Sequence, residues 1–225
     1  VAAAEARPDQ RLGYLYGGLQ DLGTYMQWPG VQWCTKTYDP RFRPWYAAAA
    51  SGPKDVIIVI DQSGSMRSQQ RMDLAIAAGK KVIDTLTEAD FATVIAFSSN
   101  ANAASSKLLQ ATEANKKTLE AFIGGLKADG STNFGAALGQ ALSIFEGTGA
   151  ASSSCHRVIL FMSDGQPTGG TWDSGAIAQV KTRAAELSPA PRILTYAFGS
   201  GADFGALKSI ACDHQGVAYK IQDGG

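Results

Sequence analysis

From Asp55 onward the chain alternates continuous apolar runs with amphipathic runs of helical period. That is the pattern of strands buried on both faces of a sheet with helices laid across them. The run Asp55-Val-Ile-Ile-Val-Ile-Asp61 is β-branched and unbroken, which predicts a central strand. Phe91 to Phe97, His156 to Met162, Arg192 to Phe198 and Val217 to Ile221 predict further strands. Between them, Arg71 to Leu86 places Leu74, Ile76, Val82, Ile83 and Leu86 at mostly helical spacing. Thr118 to Leu126, Asn133 to Phe145, Ala176 to Leu187 and Phe204 to Ala211 predict the remaining helices. The expected fold class is α/β: a doubly wound, mostly parallel sheet with helices on both faces.

Residues 1–54 have a different character, rich in Gly, Tyr and Trp. Leu12 to Tyr16 and Thr24 to Trp28 alternate like the arms of a short hairpin, and Pro29-Gly30 and Asp39-Pro40 mark turns. A small N-terminal β-rich appendage is expected over 1–54, with the main domain over 55–222 and the boundary near Gly52-Pro53.

At 225 residues and 45% hydrophobic composition, the chain can bury a core without a structural metal or disulfide. Twenty Lys and Arg offset twenty Asp and Glu, with no basic run interleaved with aromatics, so no nucleic-acid partner is expected. The longest apolar stretches are of strand length, so no transmembrane segment is expected either. Cys34, Cys155 and Cys212 are far apart and form no zinc or redox motif; free thiols and one disulfide with an odd cysteine both remain open. The chain starts at Val1 with no leader-like segment, which fits a secreted protein whose signal peptide has been removed.

Candidate chemistry concentrates in three loops: Asp61-Gln-Ser63-Gly-Ser65, Gly130-Ser-Thr132 and Ser163-Asp164-Gly165. Two follow strands directly and the third opens a helix, and ligands of open α/β sheets collect outside the carboxyl ends of strands. In an extended turn alternate side chains share a face, so Asp61, Ser63 and Ser65 can aim at one point. Two carboxylates and three hydroxyls suit a hard cation, with Mg²⁺ the first choice and Ca²⁺ or Mn²⁺ the alternatives. The competing reading is that Asp61 or Ser65 merely caps a helix. His156 and His214, with no nucleophile near them in sequence, read as surface or capping residues, and Gly165 to Gly170 lacks the spacing of a phosphate loop. Met66, Met72 and Met162 read as core filler.

Asp61-x-Ser63-x-Ser65, then Thr132 in Gly-Ser-Thr-Asn, then Asp164 in Met-Ser-Asp-Gly, resembles the metal-ion-dependent adhesion site of von Willebrand factor A-type domains at all five positions. The resemblance covers residues 55 to about 222. It implies that Ser63 and Ser65 contact the metal directly, and that Asp61, Thr132 and Asp164 do so directly or through water. Tyr38-Asp-Pro-Arg41-Phe-Arg43-Pro-Trp45-Tyr46, followed by Ser51-Gly-Pro-Lys-Asp55, is similar to the join between a Cache domain and the A domain in calcium-channel alpha-2/delta subunits and related Cache proteins. Residues 1–54 are thus read as a partial Cache-like segment, and the chain as a fragment or shortened relative. By that resemblance Arg43, Trp45 and Tyr46 are possible small-molecule contacts, since guanidinium pairs with carboxylate and aromatic rings suit an ammonium. The alternative is that Trp45 and Tyr46 pack against the A domain while Arg43 makes a local ion pair.

The expected function is divalent-metal-dependent recognition of a protein whose Asp or Glu completes the ion's coordination, without catalysis, at an extracellular or cell-surface location. Arg67 to Gln70, Phe134 and Pro167 to Trp172 are the expected surrounding loops, with Trp172 either an exposed aromatic anchor or packed on the last helices. A second reading is an auxiliary channel or sensory-receptor ectodomain whose Cache part binds a small amine or amino acid. A metal-assisted hydrolase ranks below both, because no Lys, Arg or His lies within the three motifs as a positioned acid or base.

Overall fold

The structure, a computed structural model, describes residues 52–149, 152–199 and 201–222, with the backbone of Leu15–Leu19 and Thr24–Trp28. The chain divides into two compact units, Val1–Gly52 and Pro53–Gly225. In the first, β1 (Leu15–Leu19) and β2 (Thr24–Trp28) form an antiparallel hairpin with Leu15 opposite Trp28 and Leu19 opposite Thr24. The first strand therefore lies three residues later than Leu12 to Tyr16, because it takes in Gly17 and Gly18.

The second unit is built on β3 (Lys54–Asp61), which pairs in parallel with β4 (Phe91–Phe97) on one side and β7 (His156–Ser163) on the other. β8 (Arg192–Phe198) and β9 (Ala218–Ile221) continue the sheet in parallel beyond β7. Two short antiparallel strands, β5 (Ala101–Ala103) and β6 (Leu109–Gln110), pair with β4 at the opposite edge. They have two or three residues each, too few for a period of two to show in the sequence.

The two-residue period of β3 splits the core in two. Ile57 and Val59 face a cluster with Ile159 and Phe161, beneath the helices α3 (Phe134–Glu146), α4 (Ser174–Glu186) and α5 (Phe204–Asp213). Val56, Ile58 and Ile60 face the other, with Leu160 and Met162, beneath α1 (Arg71–Thr85) and α2 (Glu113–Gly124). Every residue of β3 from Asp55 to Asp61 is buried, so the strand is apolar throughout and carries carboxylates only at its ends.

Helices α2 to α5 begin at side-chain caps. Thr112 accepts a hydrogen bond from the Asn115 amide and starts α2 five residues before the apolar spacing alone signals, at Glu113 rather than Thr118. Asn133 caps α3 by accepting from the Ala136 amide at 3.0 Å. Phe134, expected in a binding loop, is fully buried: its ring meets Phe97, Phe161 and Trp172 at centroid distances of 6.1, 5.0 and 5.7 Å. Trp172 is half-buried against the core, so the packing reading holds for it. His214 is also buried, not at the surface, and sits at the C-cap of α5 with Nδ1 2.8 Å from the Ile210 carbonyl.

Chain order and spatial order disagree at one place. From β3 the chain runs outward to β4 and its edge strands, then returns across β3 to β7 on the other side. The loops after β3 and β7 thus leave in opposite directions, opening a crevice at the carboxyl end of the sheet. Because Phe134 anchors the segment that enters this crevice, Phe134→Ala is expected to cost about 3–5 kcal/mol of stability, measured by urea unfolding. A loss below about 1 kcal/mol would show that the aromatic cluster does not hold this end of the sheet together.

Candidate metal centre

Three loops meet at the crevice, and backbone hydrogen bonds sew them together. The Gln62 amide donates to the Phe97 carbonyl at 2.8 Å, and the Gln62 carbonyl accepts from Asp129 at 2.6 Å. The Gly64 amide donates to Gly130 at 3.0 Å, a contact that uses the left-handed backbone of Gly130 at φ 84°. Thr132 is tied to the third loop: its carbonyl accepts from the Thr168 and Gly169 amides, both at 3.0 Å, and its amide donates to the Thr168 hydroxyl at 3.1 Å. The cap at Asn133 then fixes Thr132 one residue before the N-cap of α3.

The side chains of the three loops converge. The Ser65 hydroxyl donates to Asp164 Oδ1 at 2.7 Å. The Ser63 and Ser65 hydroxyl oxygens stand 3.1 Å apart, and with the Ser65 proton on Asp164 the donor between them is Ser63. Gly165 locates Thr132: a Cβ there would lie 3.8 Å from Ser65 Oγ and 3.9 Å from Thr132 Oγ1. Asp61 sits deepest, its Oδ1 accepting from the Ser63 amide at 2.7 Å and its Oδ2 from the Ser163 hydroxyl at 2.5 Å. Asp61, Ser63, Thr132 and Asp164 are buried and Ser65 is exposed, so the cluster has a floor and one open side.

Helix capping does not account for these residues. Ser63 occupies the N-cap of the short 3-10 segment Gly64–Gln70, yet its side chain makes no cap hydrogen bond. The N-cap of α1 is Gln70, also without a side-chain cap. Asp61 and Ser65 cap neither element.

Burial pushes the Asp61 carboxyl up to about 6, outweighing the hydrogen bonds from Ser163 and Ser63 that favour its charged form, and the nearby Asp164 charge adds to the rise. Among the described residues no group of three or more His, Cys, Asp or Glu stands together as a metal cluster. Two carboxylates with three hydroxyls form a different donor set, all oxygen, of the kind hard cations take.

Two residues of this site were missed in the sequence. Ser163 orients Asp61 from the end of β7. Arg71, the first residue of α1, reaches across to Asp164 Oδ2 at 2.8 Å, and the carboxylate side chain is fully buried in the pair. The serine was visible inside Met-Ser-Asp-Gly, whereas nothing local to Arg71 signals a partner 93 positions away. Of the expected neighbours, Arg67 to Gln70 are exposed. Arg43, Trp45, Tyr46 and Cys34 lie outside the described residues. Cys155 and Cys212 are exposed free thiols.

Comparison with known proteins defines the class. The von Willebrand factor type A domain family model matches residues 55–225, and the chain belongs to that family. It is similar to the mouse voltage-dependent calcium channel subunit alpha-2/delta-2, 28% identical over 82% of this chain and 16% of that protein. To the human alpha-2/delta-3 subunit it is 32% identical, over 88% of this chain and 19% of that protein. The chain thus spans less than a fifth of these relatives. Among solved structures, a von Willebrand factor type A protein from Catenulispora acidiphila superposes with TM-score 0.68 and 26% identity, covering 76% of this chain and 39% of that one. Proximal thread matrix protein 1 from the mussel byssus, with a zinc-occupied metal-ion-dependent adhesion site, shares the fold at TM-score 0.57 and 19% identity, covering 76% and 44%.

The buried Asp61 sets a pH dependence. A carboxyl whose pKa is raised on folding holds its proton more tightly when folded, so its stabilising effect is complete below about pH 4 and is lost as pH rises through about 6. In EDTA, wild type is expected to lose on the order of 3 kcal/mol relative to Asp61→Asn between about pH 4 and pH 7, read by urea unfolding at each pH. Parallel curves for the two proteins would show that Asp61 is not held in this state.

Proposed function

We propose that this domain is a divalent-cation-dependent protein-binding module, not an enzyme. Asp61, Ser63, Ser65, Thr132 and Asp164 would hold the ion. The observation that carries the reading is the convergence of oxygen donors from three loops, with buried carboxylates on the floor and an exposed hydroxyl at the mouth. The 3.1 Å between the Ser63 and Ser65 oxygens is close to the roughly 2.8–3.0 Å edge of an octahedron built on Mg²⁺–oxygen distances of about 2.0–2.1 Å. The desolvated Asp61 supports the same reading, since a bound cation would offset the cost of its charge. Mg²⁺ is the favoured ion, with Ca²⁺ and Mn²⁺ as alternatives.

When bound, such an ion supplies a Lewis-acidic position that an Asp or Glu of a partner protein fills. The chain's own contribution is to fix the hydroxyls before the ion arrives and to keep water from the carboxylates beneath them. Specificity falls to the exposed rim from Arg67 to Gln70 and to the loop from Pro167 to Thr171, because Phe134 and Trp172 are committed to packing. The similarity to alpha-2/delta channel subunits favours a second reading, an auxiliary channel or receptor ectodomain at the cell surface. There a Cache-like segment in 1–54 would bind a small amine or amino acid through Arg43, Trp45 and Tyr46. The two readings share the cation site. No described helix is long and apolar enough to cross a membrane.

Asp61→Ala and Ser63→Ala are expected to weaken Mg²⁺ binding at least about 100-fold, about 2.7 kcal/mol, by titration calorimetry, and to remove the rise in melting temperature that Mg²⁺ gives the wild type. Calorimetric Mg²⁺ binding that survives unchanged in both variants would sink the proposal. An amino-acid thermal-shift screen of wild type and Arg43→Ala tests the Cache reading separately.

A further inference from the structure

The ion pair between Arg71 and Asp164 has a position that simple structural support does not require. Asp164 is engaged at both oxygens: Oδ1 accepts the Ser65 hydroxyl at 2.7 Å and Oδ2 the Arg71 guanidinium at 2.8 Å. The guanidinium in turn lies on bare backbone at the end of β8. A Cβ on Gly199 would fall 2.5 Å from an Arg71 nitrogen, and Gly199 holds the left-handed conformation with φ 90°. Its amide donates to the Ile221 carbonyl at 2.8 Å, fixing that floor. Arg71 therefore spans from the start of α1 to the loop after β7, over a seat that only glycine leaves open.

We propose that Arg71 is a positioning and charge-setting residue of the cation site, one that trades affinity for the ion against affinity for the acidic partner. This rests on the cation-dependent reading above. Two carboxylates, Asp61 and Asp164, face a dication, and the Arg71 charge offsets one of them. The loaded site then keeps a net positive charge, which an incoming carboxylate neutralises. With Oδ2 held by Arg71 and Oδ1 by the Ser65 hydroxyl, Asp164 would act on a bound ion through Ser65. Without Arg71, both carboxylates would be spent on the ion, which would be held more tightly and attract an acid less.

The two roles predict opposite signs. If Arg71 only supports the fold, its loss weakens the site. If it sets the charge, Arg71→Gln binds Mn²⁺ about tenfold or more tightly than wild type, measured by electron paramagnetic resonance of the free ion. Arg71→Lys, which keeps the charge, returns affinity to within about threefold of wild type. Acetate, as the simplest carboxylate probe, displaces Mn²⁺-bound water at lower concentration in wild type than in Arg71→Gln, read by water-proton relaxation. Melting in EDTA checks that each variant is folded before loading. An Arg71→Gln protein that binds Mn²⁺ equally or more weakly, while wild type binds, overturns the inference and leaves the cation site standing. A wild type with no Mn²⁺ binding overturns both.

Discussion

A strand that is apolar on both faces cannot end in water without a polar group to close it, and β3 closes with Asp61, a carboxylate that no solvent reaches. Much of this end of the molecule is arranged around the cost of that charge. Ser163 and the Ser63 amide supply hydrogen bonds, which reduce the penalty without removing it. The arrangement is affordable because the direction in which the chain adds strands reverses at β3, which lets loops from both halves of the domain gather over one carboxyl group. Binding chemistry and fold topology therefore share one origin.

The two cores make that origin rigid. Alternate residues of β3 belong to opposite layers, so any movement of Asp61 along the strand axis disturbs α3 to α5 on one face and α1 and α2 on the other. The aromatic cluster of Phe97, Phe134, Phe161 and Trp172 lies directly under the loops of the site and couples Thr132 to the core. Close packing of this kind holds side chains within fractions of an ångström, the tolerance that preorganised ligand sets demand.

Much of this is legible in the residues themselves. β3 is an unbroken β-branched run from Val56 to Ile60, β7 a continuous apolar one from Val158 to Met162, and α1 begins at Arg71 where the spacing puts it. The three polar loops stand out because Asp, Ser, Gly and Thr interrupt apolar runs at strand ends. What escapes is tertiary. Phe134 follows a loop by one residue, and its sequence neighbours give no sign that it turns inward rather than out. The start of α2 depends on a single threonine hydroxyl, and β5 and β6 are too short for periodicity. Arg71 reads as one more charged residue at a helix start, because its partner is supplied by the loop after β7. The three motifs themselves contain no Lys, Arg or His, and the cation beside Asp164 comes from outside them.

One consequence concerns the seven-residue segment between Ser63 and α1. Gln69 and Gln70 both take the left-handed backbone conformation, at φ 56° and 58°, to turn the chain into the helix. Adding or deleting one residue here, with the helix start unchanged, would swing the first helical side chain by about 100° around the axis and carry the guanidinium off its seat. The segment can accept exchange of one side chain for another far more readily than a change in count, so its length behaves as a spacer gauge for the whole rim.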